Sequence, residues 1–470
     1  MKKKAIFKVA IASMVGLASL TPLSFAHDNL EGGHKGRIYD DNLEDTSGIT
    51  VLEGSKNVKY LKEVAAVGLK ELGGKKMTSA DVYGHKGYAY VGTHTGIYGT
   101  NNGGVRVFDL KDPSNPVEVS VFANDLPGTS WQEKVIVKSV STPHFKGDLA
   151  VVSVQKTSRV DTNSKGGFAL YDVTTPTEPK YLGFYETPSN VRGTHELYLT
   201  TQGNRALVLT ASSYSDYFTK GESKDVDIVD VSDPGNPTKI ASIDPRSTGV
   251  LPEDFNGYHW KDQHGKQRAV FAHSVITDEN GTHAYVSFWD LGTAIFDIRD
   301  PENPKYLGRT DFDGNVQGHA HSAALAKGGT ILIETREVYQ PLKPGYDPGF
   351  GYTRIFDIKD KSNPKLLSTF RTENSQNVDD YNESDFTFAY TVHDPKVRGN
   401  TLYLSHYADG VRILDITNPS NPKEIGSYVP ERADIWGVFV DRNYILASDL
   451  GLGLKVLQVN NSKSGRQSLE

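Results

Sequence analysis

Short runs of alternating apolar and polar residues recur along the chain, each closed by turn-forming residues. Gly104–Pro116 reads GVRVFDLKDPSNP and is followed by a second run, Val117 to Phe122. The pattern returns at Phe168–Pro179, Val226–Pro237, Ala294–Pro304, Arg354–Pro364 and Val411–Pro422. A seventh copy, Leu454–Val459, stops before the turn. Period-two alternation predicts strands, and Asp-Pro and Asn-Pro steps predict tight turns, because Asp accepts local backbone N–H bonds and Pro fixes φ. Each complete copy therefore predicts a strand, a turn and a strand.

Two further strands are predicted between copies. The clearest pair is His273–Ile276 and Ala284–Phe288 around the turn Thr277–Thr282. Four antiparallel strands per unit, repeated at roughly 60 residues, predict a β-propeller with long loop insertions. Third strands number seven but fourth strands after a turn only six. Val58–Val64 (VKYLKEV) resembles the fourth-strand segment Pro304–Gly308 (PKYLG), so it is expected to pair beside Leu454–Val459 and close a seven-bladed ring over residues 58–460. Closure leaves only short edges, whereas an open solenoid, the alternative, leaves no use for the displaced strand.

The Asp-Pro-x-Asn-Pro units, with Asp227–Val231 (DIVDV) nearest the family's name, resemble the LVIVD-repeat family of secreted bacterial proteins. That resemblance implies a propeller-like fold. The turns and the segment Gly318–Ser322 (GHAHS) are also similar to the selenium-binding protein/methanethiol oxidase family. This second resemblance implies metal-dependent oxidation on a propeller.

The first 26 residues read as a secretion signal: Lys2, Lys3, Lys4 and Lys8, an apolar run over Val9–Leu20, then Ser24 to Ala26. Residues 27–57 read as an extension and 461–470 as a polar tail. No run predicts a membrane span, and an extracellular or cell-surface monomer is expected. Without the signal the chain carries 47 basic and 58 acidic residues, an acidic balance unsuited to nucleic acid. The absence of cysteine excludes disulfides and thiolate ligands.

Loops joining fourth to first strands, and second to third strands, emerge on one face of a propeller. The long connections all fall there: Ala123–Lys134, Ser212–Asp225, Asp244–Arg268, Arg336–Tyr352 and Arg371–Phe386. They carry Tyr214, Tyr217, Tyr258, Trp260, Tyr339, Tyr346 and Tyr352, aromatic residues suited either to binding a ligand or partner or to packing loops together.

Three histidines share one spacing. His195, His273 and His321 each stand eight residues before the glycine of a first turn, Gly203, Gly281 and Gly329. All three are expected at the start of an innermost strand, at an open channel mouth on the long-loop face. His319, two residues before His321, is expected on the same side by strand alternation. The equivalent places in other blades hold Thr78 or Ser79, Ser139, Thr391 and Ala433 with Asp434. His195, His273, His319 and His321 are thus candidate ligands of Cu, Zn or Fe, or hydrogen-bonding groups of a polar channel rim. Glu334, His94, His406 and Asp449 end second strands and are candidate further ligands or partners of those ligands. His85, His144 and His393 are expected in or beside turns of the opposite face. Two functions follow: a secreted propeller binding a ligand or partner on the long-loop face, or a metal-dependent extracellular oxidoreductase or hydrolase using the histidines.

Overall fold

The computed structural model describes residues 59–69, 76–95, 99, 101–378 and 389–459. The expected signal, extension and tail lie outside them. Seven four-stranded antiparallel blades surround a central channel. The inner strands are Thr78–His85, Val135–Ser141, Glu196–Gln202, Ala272–Thr277, Ala320–Ala326, Pro395–Arg398 and Ile435–Asp441, in blades 1 to 7. Among the described residues no helix is long and apolar enough to cross a membrane.

Burial explains the strand chemistry. Second and third strands pack against neighbouring blades on both faces, so Arg205–Ala211 and Val226–Asp230 are buried almost throughout. Outer strands such as Val117–Phe122 are largely half-exposed. The apolar side chains between blades form continuous layers. One holds Leu207, Leu209 and Ile228 of blade 3 against Val275, Val286 and Phe296 of blade 4. Each such side chain contributes roughly 1.5–3 kcal/mol on burial.

The repeated aspartates do what turn chemistry requires. Asp109, Asp172, Asp230, Asp297, Asp357 and Asp415 each accept a backbone N–H from the residue two positions on.

The ring closes through the N-terminal strand Lys59–Val67. It runs antiparallel to Gly453–Val459 with Leu61 opposite Val459 and Val67 opposite Leu454. It is the fourth strand of blade 7, as the count of strands requires. Its first residues also pair in parallel with the outer strand of blade 6, Lys59 opposite Gly426 and Tyr60 opposite Ser427. One strand therefore ties blades 6 and 7 into a single sheet.

Candidate functional site

Every inner strand begins with two residues facing one residue of the second strand. In blades 4, 5 and 7 the ladder skips His273, His321 and Trp436. In blade 6 His393 donates its N–H to the Ser405 carbonyl, while Ser405 donates back to Asp394. In blade 3 His195 donates to the Ala211 carbonyl, and Glu196 is already paired with Ala211. In blade 2 Lys134 and Ser153 exchange bonds, leaving Glu133 in the same place. Blade 1 skips Ala80 and Asp81. Such bulges re-aim a side chain. Here they turn Ala80, Glu133, His195, His273, His321, His393 and Trp436 into one ring around the channel.

From Glu133 round to Trp436 the ring is continuous by contact. Glu133 Oε2 lies 3.2 Å from His195 Nδ1. His195 Nε2 lies 3.3 Å from His273 Nε2. Ring centroids are 4.0 Å apart for His273 and His321, 4.3 Å for His321 and His393, and 4.6 Å for His393 and Trp436. The four histidines are 1–3 % exposed and Glu133 1 %. The expected open channel mouth is thus covered.

Glu337, just past the second strand of blade 5, completes the cluster. Ligand atoms of His273, His321 and Glu337 all lie within 4.8 Å of one another. Glu337 Oε1 accepts hydroxyl bonds from Tyr339 at 2.9 Å and Tyr407 at 2.6 Å. Its buried Oε2 accepts no hydrogen bond from the described residues and stands 3.6 Å from His321 Nε2. Burial pushes the Glu337 carboxyl up to about 7, against the pull of the two tyrosine hydroxyls. Burial also opposes ionisation of Glu133, but the charge of His195 and its hydrogen bond outweigh it and hold Glu133 below the ordinary value. His195 is raised in turn, because Glu133 overcomes the burial that would lower it. Burial holds His273 well below its ordinary value and His393 down at about 4.

One residue further along, blades 1, 2, 3 and 6 supply a second, ionic layer. Lys134 Nζ reaches Asp81 Oδ2 at 2.8 Å, Glu196 Oε2 at 3.1 Å and Asp394 Oδ2 at 3.6 Å. In blade 7 this position is Gly437, where a Cβ would lie 2.5 Å from Asp81 Oδ1. The absent side chain makes room for the Asp81 carboxylate.

The remaining candidates take other places. His319 precedes its strand with φ of 66°, so strand alternation does not reach it. Its Nδ1 bonds the Glu337 carbonyl at 2.8 Å and its ring stacks on Trp289. His94 stacks between Trp131 and Trp436, beside the ring. Glu334 lies inside its strand and faces blade 4, accepting from Arg354 Nε at 2.8 Å and Thr310 Oγ1 at 2.6 Å. His406 opens the tight turn 406–410, and Asp449 accepts the N–H groups of Asp434, Gly451 and Leu452. These last three serve blade packing and turns.

His393 departs furthest from expectation, standing in the channel rather than beside an opposite-face turn. The glycine count misleads because turn lengths differ: Ala326 pairs with Ile331, but Arg398 pairs with Thr401. Measured from those last paired residues, His321 and His393 are equivalent. Thr391, which the count selected, instead accepts the Val338 N–H. Glu133 takes the ring position of blade 2 and Glu337 lies just past a second strand, but no spacing in the sequence marks either of them.

The loop aromatics divide. Tyr258, Tyr339 and Tyr352 are buried, whereas Tyr214, Tyr217, Trp260 and Tyr346 keep intermediate exposure. Tyr214, Tyr217 and Tyr258 pack with Phe271 and Trp289, and Tyr352 lies under Arg336 and Arg371.

The LVIVD repeat family model matches residues 221–244 and 391–429, covering one copy of the repeat and the start of blade 6 with its copy. No curated protein matches the chain. Solved structures match in number, 1272 chains, so the fold by itself selects no function. Raptor of Chaetomium thermophilum aligns over 87% of this chain and 30% of its own at 10% identity, with a TM-score of 0.53. The computationally designed Ika8 protein aligns over 84% of this chain and 99% of its own, at 10% identity and a TM-score of 0.46. At such identity the likeness to Raptor concerns the fold alone.

Proposed function

We propose that this chain is an extracellular binding propeller that holds a transition-metal ion at the centre of its channel, on His273, His321 and Glu337. The carrying observation is Glu337: a buried carboxylate with one oxygen occupied by two tyrosine hydroxyls and the other facing two imidazoles within 4.8 Å. A buried, half-satisfied carboxylate is costly unless a cation completes it. Nitrogen and carboxylate donors without sulfur suit Zn, Cu or Fe more than Ca or Mg. An ion of this class draws such donors to about 2.0–2.2 Å and polarises whatever occupies its remaining position. The partly exposed Tyr214, Tyr217, Trp260 and Tyr346 offer the long-loop face for an extracellular partner. Export rests on the basic, apolar, small-residue order of the first 26 residues.

The test is elemental analysis of protein purified from culture medium without a histidine tag, followed by zinc dialysis. One ion per chain is expected in the native protein, and almost none in His273→Ala or His321→Ala. A wild-type protein that neither retains metal nor binds added zinc, copper or iron overturns the site.

A further inference from the structure

The proposed site takes one oxygen of Glu337, and two side chains claim the other. We infer that Tyr407, together with Tyr339, is a positioning residue that sets the metal selectivity of this site. The two hydroxyls hold Glu337 to a single coordinating oxygen and so favour Zn(II) over larger, oxygen-seeking ions such as Mn(II) or Ca(II). The inference rests on the proposed metal site and deepens it. Glu337 Oε1 accepts the Tyr407 hydroxyl at 2.6 Å and the Tyr339 hydroxyl at 2.9 Å. A carboxylate oxygen offers about two acceptor sites, so both are taken. Oε2, 3.6 Å from His321 Nε2, is the oxygen left for an ion. Manganese and calcium take about six or more ligands, mostly oxygen, and calcium leans on carboxylates that give both oxygens. A tetrahedral ion needs fewer, and one carboxylate oxygen beside two imidazoles nearly completes it. The hydroxyls are neutral, so the carboxylate keeps its charge for the ion; a lysine or arginine in their place would cancel it.

Tyr407 is held in place for this reach. It is 1 % exposed, and its φ of 41° lies in the left-handed region, which a residue with a side chain keeps only when its surroundings hold it there. Blade 7 does so. The Tyr407 N–H donates to the Ile435 carbonyl and the Ile435 N–H donates back to the Tyr407 carbonyl, each at 3.1 Å. Trp436 and His393 of the channel ring pack edge-to-face with its ring, centroids at 5.7 Å and 5.2 Å. A side chain from the 406–410 turn of blade 6, fastened to blade 7, thus meets a carboxylate of blade 5. Phenylalanine would fill the same space without a buried hydroxyl, and a buried hydroxyl is costly unless it is bonded. The Glu337 carboxylate is the partner that satisfies it. Groups that hold a metal ligand from behind fix its orientation, and their removal commonly weakens binding about 10–100-fold.

The experiment compares wild type, Tyr407→Phe, Tyr339→Phe, the double variant and Glu337→Gln, loaded with Zn(II) or Mn(II) alone. Chelator competition gives each affinity. Infrared difference spectra with and without zinc give the separation of the two Glu337 carboxylate stretching bands, assigned by their loss in Glu337→Gln. That separation is wide for a carboxylate bound through one oxygen and narrow for one bound through both. Wild type is expected to show the wide separation. Tyr407→Phe is expected to bind zinc about 10–100-fold more weakly, with a narrower separation and a smaller zinc-to-manganese affinity ratio, and the double variant to go further. Wild-type zinc affinity and band separation in the double variant overturn the inference, and so does an affinity ratio that stays fixed while both affinities fall. A lower denaturant midpoint in chelator with unchanged zinc affinity makes the tyrosines structural only and overturns it too. Each of those results leaves the site on His273, His321 and Glu337 standing, whereas a wild type that binds no zinc removes both.

Discussion

Buried titratable side chains give the protein a pH response that can be worked out by sign. Burial pushes Glu196, Asp225 and Glu337 up to about 7 and Asp449 up to about 6. Burial pushes His319, His393 and His406 down to about 4. A raised carboxyl binds its proton more tightly when folded, so its contribution is full below its unfolded value and is lost as pH rises through about 7. A lowered histidine contributes fully above about 6.5 and loses that as pH falls toward 4. Between about 4 and 6.5 the two sets oppose each other; above that the carboxyls still titrate, and His195, which is raised, adds to the same loss. The metal-free protein should therefore lose stability between about pH 6.5 and 7.5, at up to about 1.4 kcal/mol per pH unit for each carboxyl. Chemical denaturation in chelator across that range checks it, and stability that rises there contradicts the assignment. The same residues show what sequence can carry at this scale. His195, His273 and His321 were legible because each sits at a fixed distance from a turn glycine. His393 was hidden by a two-residue difference in turn length, and His319 by a left-handed backbone angle that alternation does not anticipate. Glu133 and Glu337 were not legible at all, since they come from a loop end and a strand end that only the closed ring brings together.

At the level of elements, the bulge at the head of each inner strand matters more than any single residue. It supplies one inward position per blade, whatever residue type occupies it. Strand number and order were readable because alternation and Asp-Pro turns are local signals; the bulges were not, because a skipped residue shows only in the pairing. The N-terminal strand was readable from arithmetic, yet its parallel pairing with blade 6 was not. Removing everything before residue 68 would strip the partner from Gly453–Val459 and also the parallel contact at Gly426 and Ser427. It would leave Lys455, buried beside Glu63, without that carboxylate. Such a truncation should aggregate or unfold at much lower denaturant, because the exposed edge templates further pairing. Light scattering and a denaturant midpoint measure this. A monomeric truncation with wild-type stability contradicts the closure.

Across the whole molecule, the channel axis is filled at two levels by buried side chains. The histidine ring lies on the long-loop side, and the layer around Lys134 lies directly beneath it. An ion held in the ring touches blades 4 and 5 together, so binding is coupled to the packing of the ring. Saturating zinc at 100 times its dissociation constant should stabilise the folded protein by about 2.7 kcal/mol. Calorimetry with and without chelator should show the melting temperature rising with free zinc in wild type and staying fixed in His273→Ala. A zinc-independent wild-type melting temperature contradicts the coupling.

The strand Lys59–Val67 is made before the inner strands of all seven blades, but its partner Gly453–Val459 is made after every other strand of the ring. No earlier segment can take that place beside blade 7. The chain must therefore carry that strand without its antiparallel partner while the blades are made, and the final barrier to folding joins two segments close to 400 residues apart in sequence. Loop-closure entropy grows only slowly with length, so the delay is one of search time more than of free energy. A chain cut short anywhere before Gly453 never acquires the latch, and closure becomes a built-in test that all seven blades have been made.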